Sequence, residues 1–152
     1  MKIFIGGDHR GYELKAKISK FLQKQGHTVV DVGSYDEGVM CDYPPISEKV
    51  ATQVAKNRGS RGILACMTGI GHSIAANKVP GAYAALVYHK EAAALSRQHN
   101  NSNILVLGAK LTDPSHIEEI VNIWLTTEFE GGRHLRRVKQ IKAIEKKYLV
   151  KK

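Results

Sequence analysis

Residues 63–78 read ILACMTGIGHSIAANK, and the fold follows from how that stretch divides. Its opening residues are apolar, with the length and character of a strand buried on both faces. Gly69 and Gly71 then punctuate the chain, and SIAANK resumes with helix-forming residues. The segment therefore predicts a strand, a tight turn and a helix in succession.

The same alternation extends outward in both directions. Upstream, KIFIGG at 2–7 reads as a short buried strand, and Leu14, Ile18, Phe21 and Leu22 mark one face of a helix over 12–25 that stops at Gly26. TVVDV at 28–32 is a second strand, 33–43 is polar and irregular, and Ile46, Val50 and Val54 mark the next helix. Downstream come AYAALV at 82–87, a helix over 89–98, NILVLG at 103–108 and a helix carrying Ile117, Ile120, Val121 and Trp124. Short apolar strands alternating with helices predict an α/β protein with a parallel sheet covered on both faces. The expected architecture is a three-layer αβα, Rossmann-like fold with a five-stranded parallel sheet, residues 1–152 forming one domain.

The net charge of +9 suggests a nucleic-acid binder until it is located. Nine of the 23 basic residues fall after residue 132, against the single acid Glu145, and the rest of the chain is nearly neutral. Val138, Ile141, Ile144 and Tyr148 recur in that tail at helical spacing, so 133–150 is expected to be a basic amphipathic helix that buries its stripe against its own domain or a partner subunit. No stretch has the length of a membrane span. Two cysteines, Cys41 and Cys66, without a secretory leader indicate reduced thiols and a cytoplasmic protein. There is no Cys-x-x-Cys pair and the histidines show no ligand spacing, so no metal site is expected.

Ligands of open parallel sheets bind at the carboxyl ends of the strands. Gly6, Gly7, Asp8, His9 and Arg10 follow the first strand, and Cys66 through His72 follow the third; His99, Asn100 and Lys110 are expected near the same rim. A thiol ahead of a glycine turn and a helix start is open to stabilisation as a thiolate base, because amides and the helix dipole favour negative charge. Cys66 by position suits a small buried hydrophobe equally well. The TGIG turn suits either an anion cradle or plain strand-to-helix geometry, and Asp8 and His9 suit a cap and a surface histidine as readily as a site.

Six motifs in order carry a resemblance: GGDH at 6–9, DYP at 42–44, C-x-TGIG at 66–71, SIAANK at 73–78, LSRQHNNSNILVLG at 95–108 and EGGRHLRRV at 130–138. Over nearly its whole length the chain resembles the ribose-5-phosphate isomerase type B family, which includes the galactose-6-phosphate isomerase subunits. The resemblance implies a cofactor-free interconversion of an aldose phosphate and its ketose through a cis-enediolate. It assigns the proton-transferring base to Cys66 and ring opening to His99, assisted by Tyr43 and Thr68, with Asn100 nearby. Asp8 is assigned to the substrate hydroxyls, the amides of Gly69, Ile70, Gly71, His72 and Ser73 to an anion hole, and His9, Arg133 and Arg137 to the phosphate. It further implies a homodimer or dimer of dimers with sites shared between subunits, and no role in binding nucleic acid or membranes.

Three residues depart from the family pattern. Met67 replaces a glycine, Lys110 replaces an arginine near the sugar, and His72 stands where a branch lacking the cysteine places a glutamate base. The expectation is that Cys66 remains the base and His72 modulates it. The alternatives are a six-carbon aldose phosphate isomerase or a subunit needing an unlike partner, and a catalytically silent module that binds a sugar phosphate or, through the basic tail, nucleic acid; the intact set of Cys66, Thr68, His99, Arg133 and Arg137 speaks against silence.

Overall fold

A computed structural model describes residues 1–149. Five strands, β1 (Lys2–Gly7), β2 (Thr28–Asp31), β3 (Arg61–Cys66), β4 (Ala84–Leu86) and β5 (Ile104–Gly108), form one sheet in the order β2-β1-β3-β5-β4. Every pairing is parallel. The expected α/β layering is observed, with β4 three residues long, shorter than the six-residue apolar run that announces it.

Alternate strand residues feed two cores, as period-two geometry requires. Ile3, Ile5, Ile63, Ala65, Leu105 and Leu107 face α1 (Tyr12–Lys24), α4 (Lys90–Asn100) and α5 (Ile117–Thr126), whose Leu14, Ile18, Ala93, Ile120 and Trp124 complete that side. Phe4, Leu64, Ile104 and Val106 face the opposite way, against Ile46, Val50 and Val54 of α2 (Tyr43–Lys56) and Ala76 of α3 (Ile70–Ala76). Trp124 is fully buried and donates its indole N–H to Ser102 Oγ at 2.9 Å. A buried indole needs that partner, because an orphaned donor costs about 1–3 kcal/mol.

The tail helix, α6 (Gly132–Tyr148), matches its expected start within a residue; the expected end at 150 lies outside the described residues. Its apolar stripe is only partly covered. Val138 is buried, whereas Ile141, Ile144 and Tyr148 are exposed on the surface of this chain. Among the described residues, no helix is long and apolar enough to cross a membrane.

Candidate active site

Chain order reverses between β1 and β3: β1 leads to β2 on one side, while β3 lies on the other. Their carboxyl ends form the crevice where open parallel sheets bind ligands. Asp8 leaves β1 there, and its Oδ1 accepts the Gly11 N–H at 2.9 Å, fixing the turn into α1. Gly11 is indispensable to that turn, since a Cβ there would lie 1.9 Å from the Ala65 carbonyl oxygen. Bare backbone thus lets the turn rest on the end of β3 and carries Asp8 to Cys66. The Asp8 carboxylate, Cys66 Sγ and a ring nitrogen of His72 lie within 4.8 Å of one another, all three residues buried.

Cys66 Sγ accepts the Gly69 N–H at 3.0 Å. Gly69 turns the chain at φ 83°, a conformation natural to glycine. The expectation of a lowered thiol pKa is corrected by this setting. Burial pushes the Cys66 thiol up and the charge of Asp8 adds to the rise, while the amides of Gly69, Thr68 and Met67 offset only part of it. Desolvation wins because α3 is only seven residues long and a helix dipole acts as a partial charge.

His72 is fully buried, with Nδ1 2.6 Å from Ser47 Oγ. The Ser47 hydroxyl also lies 3.0 Å from the Tyr43 carbonyl. The Nδ1–Ser47 contact suits either tautomer, with the hydroxyl giving its proton to the ring or to Tyr43, while Nε2 has no partner at hydrogen-bonding geometry. Burial pulls the His72 pKa down to about 4, against the opposing pull of Asp8 and the Ala65 carbonyl. The ring is neutral at neutral pH.

Around this cluster stand other expected residues. Tyr43 opens α2 with its ring edge-on to His72, centroids 5.7 Å apart, and covers Gly71. Thr68 has its carbonyl held by the Tyr88 hydroxyl at 3.1 Å, its Oγ1 lying 3.4 Å from the Ile70 amide. His9 Nδ1 accepts the Cys41 N–H at 3.4 Å. The Lys110 amide donates to the Met67 carbonyl at 2.9 Å, which sets that lysine beside the turn, and the Met67 side chain is 41 % exposed. Of the five amides expected to form an anion hole, Gly69 donates to the thiol, Ile70 to Thr68 Oγ1 at 3.4 Å and Ser73 to the Gly69 carbonyl at 3.0 Å, while those of Gly71 and His72 precede the first helical bond.

His99, Asn100, Arg133 and Arg137 are not at this rim, and the expectation of a single polar edge is corrected. Helix α4 runs antiparallel to the strands and ends at Asn100, beside the start of β5. Its 11 residues span about 16 Å at 1.5 Å each, enough to carry His99 and Asn100 to the amino-end rim. There the His99 ring stacks on His134, centroids 4.1 Å apart and planes 8° from parallel. Glu130 Oε2 lies 3.3 Å from His134 Nε2, which also accepts from Arg133 Nε at 3.4 Å. Arg133 and Arg137 are exposed on one face of α6.

Ser47, Tyr88 and Gly11 support the cluster without having been singled out in the sequence. Only Gly11 carried a signal there, as the third glycine of GGDHRG. Ser47 and Tyr88 act through contacts 25 and 20 residues away in the chain.

Comparison with known proteins places the chain among named relatives. The pattern of the ribose/galactose isomerase family matches residues 3–141. A ribose-5-phosphate isomerase B from Clostridium thermocellum superposes with a TM-score of 0.94 at 49 % identity, covering 97 % of this chain and 99 % of that one. The Mycoplasma genitalium ribose-5-phosphate isomerase B with bound ribulose-5-phosphate superposes with a TM-score of 0.92 at 44 % identity, covering 95 % and 96 %. The ribose-5-phosphate isomerase B of Escherichia coli is 42 % identical over 146 residues, 96 % of this chain and 97 % of that protein. Sequence, topology and the Cys66 crevice lead to one assignment: the chain belongs to the ribose/galactose isomerase family.

Proposed function

We propose that this protein interconverts ribose 5-phosphate and ribulose 5-phosphate through a cis-enediolate, with Cys66 as the base. The observation that carries the reading is Cys66 Sγ, buried at the end of β3 beside Asp8 and beneath a turn whose Gly71 and His72 amides precede the helical ladder. A proton next to a carbonyl is abstracted by such a base when donors wait for the developing oxyanion. The thiolate of Cys66 takes the proton from C2 and returns it to C1, while amides of the turn, those of Gly71 and His72 foremost, hold the enediolate oxygen. Asp8 orients the hydroxyls. No cofactor takes part.

Ring opening and phosphate binding need His99, Arg133 and Arg137, and the lone chain keeps these on the far rim. We therefore read the active species as a homodimer or dimer of dimers, in which one copy presents its amino-end rim to the Cys66 crevice of the next. Exposed Leu135, Ile141, Ile144 and Tyr148 along α6 support that association. Arginine pairs suit a dianionic phosphate by their planar forks, and His9 joins them from the crevice side. The two thiols, neither in a disulfide, support a cytoplasmic location.

A six-carbon aldose phosphate is the second reading, favoured by Met67 and Lys110 meeting beside the turn. The test is aldose–ketose conversion of ribose 5-phosphate and a panel of six-carbon sugar phosphates in the presence of a chelator, with Cys66→Ala alongside. Rapid pentose turnover lost in the variant is expected. Turnover confined to a six-carbon sugar would move the assignment, and a fully active Cys66→Ala would remove the thiol from the mechanism.

A further inference from the structure

The Cys66 crevice contains more than the isomerase chemistry uses. His72 is fully buried, its Nε2 is without a partner at hydrogen-bonding geometry, and its ring lies with the Asp8 carboxylate and Cys66 Sγ inside a 4.8 Å triangle. We propose that Asp8, Cys66 and His72 form a binding site for a zinc-like divalent cation, which blocks the enzyme reversibly by capping its base.

The donor set is the one such an ion selects: one sulfur, one imidazole nitrogen and one carboxylate oxygen, with a fourth position left for water. Zinc bonds of about 2.0–2.3 Å place tetrahedral donors within roughly 4 Å of each other. The 4.8 Å triangle exceeds that size by less than about 1 Å. The surrounding contacts are those expected around metal ligands. A ligating histidine ordinarily donates its other ring N–H to an oxygen that fixes tautomer and orientation; Ser47 Oγ, 2.6 Å from Nδ1 and 3.0 Å from the Tyr43 carbonyl, is placed to accept it. The Gly69 amide already points at the sulfur, and the Gly11 amide occupies only Oδ1 of Asp8.

Charge balances inside the buried crevice. Binding replaces the S–H bond of Cys66 with a sulfur–metal bond and releases that proton to solvent, so thiolate and carboxylate together neutralise a divalent ion beside a neutral imidazole. A sulfur pair committed to metal does not accept the C2 proton, so turnover stops until the ion is withdrawn; this consequence rests on the isomerase reading above, whereas binding does not. His99, Glu130 and His134 also lie within 4.8 Å of one another. Their imidazoles are stacked nearly parallel, 8° apart, so their in-plane lone pairs run side by side and do not converge.

The test uses the full-length protein, stripped with chelator and titrated with Zn²⁺ by calorimetry in two buffers of different ionisation enthalpy, and with Co²⁺ by absorption. Expected are one ion per chain, about one proton released per ion, and a sulfur-to-cobalt charge-transfer band that disappears in Cys66→Ala. His72→Gln and, with every ligand retained, Ser47→Ala should each weaken binding on the order of 10- to 100-fold. Absence of saturable binding, affinity unchanged in both variants, or binding lost in His134→Gln would overturn the site. The cobalt band is read without substrate, so failure on every sugar phosphate would refute the isomerase reading and leave the metal site standing. Turnover that persists with the ion bound would refute the blockade.

Discussion

Replacing Gly11 by alanine adds one methyl group, and the structure puts it where no methyl fits. The new Cβ would lie 1.9 Å from the Ala65 oxygen, 2.3 Å from the Ala65 carbonyl carbon and 2.7 Å from the Cys66 nitrogen. All three are backbone atoms of β3, a strand paired to both neighbours, so no flexible side chain can yield. Ordinary contact is about 3.5–4.0 Å between carbons, so the turn must lift by more than about 1 Å. Overpacking costs about 1–3 kcal/mol, occasionally more, and this contact belongs at the upper end. For a chain of this size about 3 kcal/mol lowers Tm by roughly 6–12 °C. Displacing Asp8 from Cys66 by that distance should also lower kcat/KM about 100-fold. Gly26→Ala is the control: φ is +80° there but nothing lies within 4 Å of the added Cβ, so about 1 kcal/mol of left-handed strain is expected with turnover intact. Thermal unfolding with turnover measured well below Tm separates the two effects. A Gly11→Ala protein no less stable than Gly26→Ala and fully active would refute the claim that this turn is seated on β3.

Two further outcomes follow from the site. Because burial and Asp8 raise the Cys66 thiol, and the base must be deprotonated to work, kcat/KM should keep climbing with pH beyond the ordinary thiol value; a plateau reached by neutral pH would show a base of lower pKa. Mixing Cys66→Ala with Arg137→Ala under conditions of subunit exchange should restore activity in about a quarter of the sites, because each mixed dimer has one site intact in both halves; no recovery would place Arg137 and Cys66 of each site on the same subunit.

The fold was legible because its signals are local. Apolar runs such as ILAC and NILVLG are short and flanked by glycine or asparagine, and the intervening helices show one apolar face each, so the αβα layering required little beyond periodicity. The tail was harder to read. Val138 through Tyr148 have the spacing of a buried stripe, yet among the described residues only Val138 of that stripe is buried, because a periodic pattern states that a face wants a neighbour without saying which molecule supplies it. The candidate site divided in the same way. Asp8, Cys66 and the glycine turn lie at strand ends, where topology alone predicts ligands, whereas the return of α4 across the sheet removed His99 and Asn100 from that rim.

The sequence by itself determined the strands, the helices and the family, and it named the residues that the proposed chemistry uses, since all of these are written in short-range patterns and ordered motifs. Tertiary structure alone decided the electrostatics and the groupings. It turned the expected low thiol pKa into a raised one, because desolvation depends on the atoms surrounding Cys66 and not on its position before a helix. It set the His72 ring against Ser47, 25 residues away. It also gathered Asp8 from just beyond β1, Cys66 from β3 and His72 from α3 into one triangle of possible metal donors, although their spacing along the chain matches no metal motif. A parallel sheet brings distant strand ends together at one edge, and linear spacing carries no record of that convergence.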